Sequence, residues 1–254
     1  MTPNRRDFLK GVAGSIVVSS VVARASASAA QGAAQSGAAR SGGKKMKPGE
    51  RDVLLVVDVQ NDFIPGGALA VKDGDQVIAV INRLAPAFAR VVLTQDWHTP
   101  GHVSFASSHP GKKPFETIEL PYGTQVLWPD HCVQGTPGAA LHKDLNIPHA
   151  ELIIRKGYRK QIDSYSAFLE ADGKTHTGLA GYLNERGLKN IYLVGLATDF
   201  CVGWSAVDAR KAGFAATVIE DACRGIDANG SLAKAWDSMK KAGVKRIQSS
   251  DVEV

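Results

Sequence analysis

Short, uninterrupted runs of apolar residues recur along the chain from residue 52 onward, and stretches of helical periodicity lie between them. Six of these runs are candidate strands: 53–57, 90–94, 151–154, 190–194, 216–219 and, with a weaker pattern, 245–248. Continuous rather than alternating apolarity indicates strands that are covered on both faces. Such strands, separated by helices, predict a single α/β domain with three layers, α/β/α, around a mostly parallel sheet.

The segment between residues 99 and 149 does not follow this pattern. It is rich in Pro and Gly and has no firm periodicity, whereas the stretches 177–187 and 231–243 read clearly as packing helices. Loops of such length in a compact domain are usually functional or disordered. Because this one carries Trp128 and His131, we expect it to contribute to a site.

A carboxylate, an ammonium group and a thiol each lie shortly beyond one of the predicted strands. These residues are Asp58, Lys156 and Cys201. Ligands of open parallel sheets bind beyond the carboxyl ends of the strands, where residues distant in sequence meet. Each residue alone is more often structural than catalytic. Together they predict a thiol active site in which Asp58 takes the proton of Cys201 and Lys156 balances the carboxylate.

Cys201 precedes a predicted helix at 202–211, so we expect the helix N-terminus to lower the pKa of its thiol below the free value of about 8.5. The alternative is a small buried hydrophobic residue, the commonest fate of a free cysteine. The chain has two other cysteines, Cys132 and Cys223. An odd count without a CxxC pair argues against a disulfide framework, and we expect Cys201 to be free.

A second group of polar residues has the composition of a metal site. Asp96 and His98 stand two residues apart after the second predicted strand, and His131 in the long segment is a candidate third ligand. An Asp, His, His set with open coordination positions suits one divalent ion of zinc, iron or manganese. His102 is left open as a fourth ligand or a supporting residue.

The first fifty residues do not resemble a folded domain. Arg5 and Arg6, a short apolar stretch and a run of small residues form a twin-arginine export signal over 1–30, and residues 31–50 have the composition of a flexible linker. We therefore expect the folded domain to occupy 51–254, with order beginning near Asp52, and the mature protein to be periplasmic without a membrane span. The net charge of +5 comes from these first fifty residues, so it does not predict nucleic-acid binding.

Six motifs follow one another along the chain: DVQNDF from Asp58, QDWH from Gln95, WPDHCV from Trp128, KG from Lys156, DSYSAF from Asp163 and GLATDFCV from Gly195. In this order they resemble the motifs of nicotinamidases, also called pyrazinamidases, of the isochorismatase-like cysteine hydrolases. The sequence resembles this family from residue 52 to about residue 248. It departs from the family's usual members in front of the domain, because those members are cytoplasmic.

The resemblance implies an enzyme that hydrolyses nicotinamide, and pyrazinamide as a related substrate, through a thioester. It implies catalytic residues Asp58, Lys156 and Cys201, metal ligands Asp96, His98 and His131, and ring-binding residues Phe63, Trp128 and Tyr165. It also implies an oxyanion hole formed by the N–H groups of Ala197 and Cys201, with a cis peptide bond between Leu196 and Ala197. Formation of a homo-oligomer is left open.

Two other readings remain. One is a different hydrolase of the same fold, such as an isochorismatase or an N-carbamoyl amidase. Isochorismatase chemistry requires neither the cysteine nor the DxH motif, so Cys201 and the Asp96–His98 pair speak against it. The other is an exported metal- or pyridine-binding protein without turnover, which the presence of all three candidate catalytic side chains disfavours.

Overall fold

A parallel sheet forms the centre of the computed structural model, which describes residues 45–254. Its strands are β1 (Asp52–Val57), β2 (Val91–Asp96), β5 (Leu152–Lys156), β6 (Asn190–Leu196), β7 (Ala215–Arg224) and β8 (Lys245–Ile247). All six runs that were candidate strands lie in this sheet, so the predicted mostly parallel α/β/α domain is confirmed. The strands β1 and β2 are buried along their whole lengths, as continuous apolarity requires.

The order of the strands is β5-β2-β1-β6-β7-β8, and every neighbouring pair is parallel. The central strand β1 pairs with β2 on one side and with β6 on the other. Because β5 lies next to β2, Lys156 at the end of β5 is directly beside Asp96 at the end of β2. The topology thus brings the carboxyl ends of β1, β2, β5 and β6 to one edge of the sheet.

Four α-helices lie among the described residues: α1 (Gln76–Leu84), α2 (Leu179–Glu185), α3 (Gly203–Lys211) and α4 (Ser231–Lys241). The last three correspond to predicted helices. The sequence pattern did not lead us to expect α1, although its residues Val77, Ile78, Ile81 and Leu84 form a buried stripe at helical spacing. The helix α1 packs against β6 and β7, and α3 packs against β7 and α4.

Gly195 marks a bend near the end of β6. Its φ is +110°, and the pairing register between β6 and β7 shifts next to it. A Cβ atom at this position would lie 2.1 Å from the carbonyl oxygen of Val57, so only glycine allows β6 to approach β1 here. The chain therefore leaves the sheet close to Asp58.

The long segment between residues 99 and 149 contains regular structure that the sequence did not indicate. An antiparallel hairpin joins β3 (Thr117–Leu120) to β4 (Gly123–Val126). Its strands are only partly buried, which explains their weak apolar pattern. The chain after β4 leads directly into buried Leu127 and Trp128. Trp128 and His131 of this segment line the cavity described in the next subsection.

The start of the described chain is tied to its end. The N–H group of Met46 donates to the carbonyl of Asp251 at 2.8 Å, and the N–H group of Glu253 donates to the carbonyl of Met46 at 2.8 Å. Hydrogen-bonded structure thus begins before Asp52, within the segment that composition assigned to the linker. The predicted export signal at 1–30 and the linker up to residue 44 lie outside the described residues. Within 45–254 no helix is both long and apolar enough to cross a membrane.

Candidate active site

Asp58, Lys156 and Cys201 converge at the edge of the sheet formed by the strand ends. The Nζ atom of Lys156 lies 2.7 Å from Oδ2 of Asp58 and 3.3 Å from Sγ of Cys201. A carboxylate oxygen of Asp58 and the sulfur lie within 4.8 Å of each other. The structure therefore brings the predicted carboxylate, ammonium group and thiol together.

Lys156 also contacts Asp96, so one ammonium group is paired with two buried carboxylates. Burial by itself would lower the pKa of Lys156, but Asp58 and Asp96 outweigh it and raise that pKa well above its usual range. For the carboxyl group of Asp58 burial has the opposite effect. It raises the pKa, and the charge of Lys156 only partly opposes this rise. At Asp96 burial also acts upward, but the charge of Lys156 and the nearby imidazoles prevail and lower the pKa. The lysine is held in its charged form.

Two neutral side chains that the sequence did not single out hold these acids in place. Thr94 donates its hydroxyl to Oδ1 of Asp58 at 2.5 Å and accepts the backbone N–H of Asp58 at 3.1 Å. Gln60 donates through Nε2 to the carbonyl of Asp96 at 2.8 Å and accepts the N–H of Asp96 at 2.7 Å. The side-chain amide of Gln60 thus makes the two hydrogen bonds to the backbone of Asp96 that a neighbouring strand would otherwise make. Thr94 and Gln60 together fix the positions of Asp58 and Asp96.

The backbone around Cys201 differs from the expected start of an α-helix. Residues Thr198–Val202 form a π-helical turn, and α3 begins only at Gly203. The expectation that the resting thiol has a lowered pKa is wrong. Burial raises the pKa of Cys201 well above its usual range, and the opposing charge of Lys156 only moderates this effect. The resting group is a thiol that needs a neighbouring base before it can attack.

All three cysteines are free, as expected for Cys201, and all are buried. Only Cys201 lines the cavity described below. Burial raises the pKa of Cys223 to about 12 and that of Cys132 well above its usual range. Among the three sulfur atoms, that of Cys201 is the one that accepts a hydrogen bond from an ammonium group, the Nζ of Lys156.

A small cavity opens beside Cys201. Its wall contains the three predicted ring-binding residues, Phe63, Trp128 and Tyr165, and the indole N–H of Trp128 donates to the hydroxyl of Tyr165 at 2.9 Å. The wall also includes residues for which no role was predicted: Leu69, Asp163, Phe200 and Ile226.

Ala197 and Cys201 both border this cavity at the turn that follows β6. The peptide bond between Leu196 and Ala197 is cis, which confirms the prediction. The carbonyl of Ala197 accepts hydrogen bonds from the N–H groups of Phe200 and Val202, both at 3.1 Å, and these bonds close the turn. The turn therefore holds the two candidate oxyanion donors next to the thiol.

Asp96, His98 and His131 form a compact donor set on the same cavity wall. Their ligand atoms all lie within 4.8 Å of one another, and all three residues are buried. The Nδ1–H groups of His98 and His131 donate to the carbonyls of Gly157 and Pro129, at 2.9 and 2.8 Å. This leaves Nε2 of each ring for a metal and is the usual outer support of metal-binding histidines.

The pKa of His131 also favours a metal-binding role. Burial and the neighbouring His98 lower it to about 4, so the imidazole is neutral at physiological pH, as a metal ligand must be. Together with the anionic Asp96, the donor set fits one divalent cation of the type predicted.

Gly157 follows Lys156 at the end of β5 and contacts the imidazole of His98. Its φ is +67°, its carbonyl accepts the hydrogen bond from His98, and an added Cβ atom would lie 2.6 Å from Cε1 of that ring. A side chain at this position would displace the imidazole. The glycine is therefore required both for the turn after β5 and for the place of His98.

His102, which the sequence left open, has partners for both ring nitrogens. Its Nδ1 accepts the hydroxyl of Ser104 at 2.8 Å, and its Nε2–H donates to the carbonyl of Arg159 at 3.0 Å. Its ring packs against that of His98, with 4.4 Å between the centroids. The geometry assigns His102 to the packing behind the donor set and not to the set itself.

Taken together, these features describe a small aromatic-walled cavity with two chemical walls. One wall presents a thiol, with a carboxylate and an ammonium group buried behind it, and the other presents a donor set for a divalent cation. A thiol with an adjacent carboxylate can attack an electrophilic carbon, and the N–H groups of the turn can stabilise the resulting oxyanion. The arrangement suits acyl transfer from a small, flat molecule.

Comparisons with known proteins agree with this geometry. Residues 52–251 match the model of the isochorismatase domain. The nicotinamidase of Acinetobacter baylyi is 60% identical over 83% of this chain and 98% of its own length. A solved nicotinamidase/pyrazinamidase of Acinetobacter baumanii is 64% identical with a TM-score of 0.79, over 80% of this chain and 98% of that one. A pyrazinamidase of Pyrococcus horikoshii in complex with zinc is 35% identical with a TM-score of 0.64, over 78% and 99%.

Proposed function

The chain belongs to the isochorismatase-domain family, and from this premise we propose that it is a nicotinamidase. The enzyme hydrolyses nicotinamide to nicotinate and ammonia and accepts pyrazinamide as a second substrate. The observation that carries the proposal is the convergence of Asp58 and Lys156 on Cys201, whose side chain borders an aromatic-walled cavity. The identity to nicotinamidases over nearly their whole length supports it.

The reaction begins with the amide held between the aromatic side chains and its carbonyl carbon at Cys201. Asp58 accepts the thiol proton as the sulfur adds to the carbonyl carbon, and the N–H groups of Ala197 and Cys201 bind the oxyanion. The intermediate collapses with cleavage of the C–N bond. Asp58 returns its proton to the departing nitrogen. Ammonia is released, and the acyl group remains bound to Cys201 as a thioester.

Water completes the cycle. Asp58, again a carboxylate, removes a proton from a water molecule, whose oxygen adds to the thioester carbon. Collapse of this second intermediate expels the sulfur, which recovers its proton from Asp58, and nicotinate is released. Lys156 remains charged throughout and offsets the negative charge that moves between Asp58 and Cys201. The base and the nucleophile are thus both regenerated.

We also propose that Asp96, His98 and His131 hold one divalent cation, for which zinc is the first choice and iron and manganese are alternatives. The solved relative with zinc supports this assignment. A cation held there supplies Lewis acidity at one wall of the cavity. The protein's own contribution is to fix the two imidazoles through Gly157 and Pro129 and to exclude bulk water with the surrounding rings.

The proposal is tested by incubating the purified full-length protein with nicotinamide and measuring ammonia. We expect release of ammonia by the metal-loaded protein. We expect loss of most activity after treatment with a chelator, because the donor set faces the substrate cavity, and recovery when zinc is added back. Absence of ammonia release by zinc-, iron- and manganese-loaded protein would reject the proposed function.

Replacing the base tests the mechanism. Asp58→Asn keeps the shape of the side chain but cannot accept the thiol proton, so we expect kcat to fall by at least about 10²-fold. Steady-state ammonia release with nicotinamide measures the change. The Asp237→Asn variant, altered on α4 outside the cavity, is the control and should retain native activity. An Asp58→Asn enzyme with near-native kcat would remove Asp58 from the reaction.

The export signal leads to a further part of the proposal. We propose that the enzyme acts in the periplasm, because the Arg5–Arg6 pattern and the following apolar stretch have the form of a twin-arginine signal. This export route carries folded proteins, so the thiol and the cation would be in place before the protein reaches an oxidising compartment. The burial of Cys201 supports this reading, because a buried thiol is shielded from oxidants.

A further inference from the structure

Asp163 is a buried carboxylate on the cavity wall that the mechanism does not use. Only 2% of its surface is exposed, and it lines the same cavity as Asp96, His98 and His131. Its Oδ2 accepts Nε2–H of Gln125 at 2.7 Å, and its Oδ1 accepts the N–H of Ser164 at 2.8 Å. These two donors fix the direction of the carboxylate.

No Lys or Arg side chain in the described part of the chain forms an ion pair with Asp163. The nearest groups of metal-binding type are imidazoles, because a carboxylate oxygen of Asp163 lies within 4.8 Å of ring nitrogens of both His98 and His102. An anion buried without a cation is costly. Asp163 therefore needs a source of positive charge on the side of the cavity where the donor set lies.

A count of charges around the donor set indicates that source. Asp58 and Asp96 share the single ammonium group of Lys156, which leaves one uncompensated negative charge among these three residues. A divalent cation at the donor set would add two positive charges, so the cluster would then have a net charge of +1. The carboxylate of Asp163 provides the missing negative charge, so the cluster with the cation becomes neutral. A bound ion is often the largest charge in its site and must be included in such a count.

We propose that Asp163 is a positioning residue that balances the charge of the cation held by Asp96, His98 and His131. Asp163 is not itself a ligand of the cation. This inference rests on the proposed metal site. The carboxylate of Asp163 lines the cavity and lies within 4.8 Å of a ring nitrogen of His98. Residues in such supporting positions contribute about 10- to 100-fold to metal affinity.

The test compares variants that remove or retain this charge. In the full-length protein, Asp163→Asn should weaken zinc affinity by about 10- to 100-fold, measured by competition with a fluorescent chelator. Asp163→Glu retains the charge and should bind zinc more tightly than Asp163→Asn. Asp208→Asn removes another buried carboxylate, on α3 outside the cavity, and should leave zinc affinity at the native value.

Thermal unfolding separates charge balance from a structural role. Without metal, Asp163→Asn should melt at the native temperature or above it, because an unpaired buried charge is gone. The rise in melting temperature on addition of zinc should be smaller than in the native protein. Asp163→Ser, which also removes the charge and keeps an acceptor for the N–H of Ser164, should behave in the same way.

Several outcomes would overturn the inference. They are native zinc affinity in Asp163→Asn, equal weakening in Asp163→Asn and Asp163→Glu, equal weakening in Asp208→Asn, or failure of both charge-removing variants to fold without metal. Ammonia release is measured separately on the native protein. If zinc affinity depends on Asp163 as expected but the native protein releases no ammonia, the proposed function is rejected and this inference stands.

Discussion

Replacement of Cys201 by alanine should reduce ammonia release from nicotinamide by about 10⁴-fold or more, while zinc remains bound. The reason is that no other thiol borders the cavity in the described structure, so the variant has no group that can form the thioester. Zinc content should be preserved, because the three donors reside on other segments of the chain. Steady-state ammonia assays and metal analysis of the same preparation measure both effects.

Cys223→Ala is the matched control. Cys223 is buried on β7 and does not line the cavity, so its loss should leave the turnover number within a few-fold of the native value. Trapping of an acyl-enzyme with a slowly hydrolysed amide, followed by mass spectrometry, should label the peptide containing residue 201 only. Full activity of Cys201→Ala, or a label on another residue, would contradict the assignment of the nucleophile.

Replacement of Lys156 by methionine should have the largest effect on stability. The change keeps much of the side-chain volume but leaves the carboxylates of Asp58 and Asp96 buried without a cation. Removing one partner of a buried ion pair costs about 3–5 kcal/mol. For a domain of this size the melting temperature should fall by about 6–20 °C. Denaturant and thermal unfolding of chelator-treated protein measure the loss, and activity should disappear with it.

Lys211→Met provides the comparison. Lys211 pairs with Asp208 at 3.2 Å, but its side chain is partly exposed, so the pair should contribute less than about 1 kcal/mol. A Lys156→Met protein as stable as Lys211→Met would show that Lys156 does not neutralise the two acids. Addition of zinc should stabilise both variants, and Lys156→Met by more, because Asp96, which this variant leaves without a cation, is one of the proposed metal donors.

The positions of the main site residues could be predicted because they depend on a general property of parallel sheets. Apolar runs locate the strands, and the carboxyl ends of neighbouring strands meet at one edge. Asp58 and Lys156 follow such runs, and the structure places their charged groups 2.7 Å apart. The sequence alone did not provide the strand order that puts Lys156 beside Asp96.

The supporting residues were missed for the same reason. Gln60 and Thr94 are neutral polar residues near strand ends, and nothing in their local sequence distinguishes them from ordinary turn residues. Their roles arise from the pairing of β1 with β2, which brings Thr94 to Asp58 and Gln60 to Asp96 across a separation of 36 residues. Asp163 belongs to one of the six motifs, but its direction at the cavity wall is fixed by a tertiary contact, the hydrogen bond from Gln125.

The prediction for the Cys201 thiol failed because local sequence specifies a turn but not its surroundings. A thiol near a helix start has a lowered pKa only where solvent or cations outweigh burial. Here a π-helical turn places the sulfur among packed aromatic side chains and beside two carboxylates, so burial dominates. The degree of burial is a property of the whole tertiary structure.

Gly157 has a consequence for how such a site can change during evolution. One backbone position carries the turn that ends the lysine's strand and also the carbonyl that aligns an imidazole, and it has no room for a side chain. The position of the Lys156 ammonium group and the position of the His98 imidazole therefore depend on the same backbone segment. A substitution at residue 157 would disturb the end of the lysine's strand and the imidazole of His98 at once, so these two parts of the site are constrained to change together.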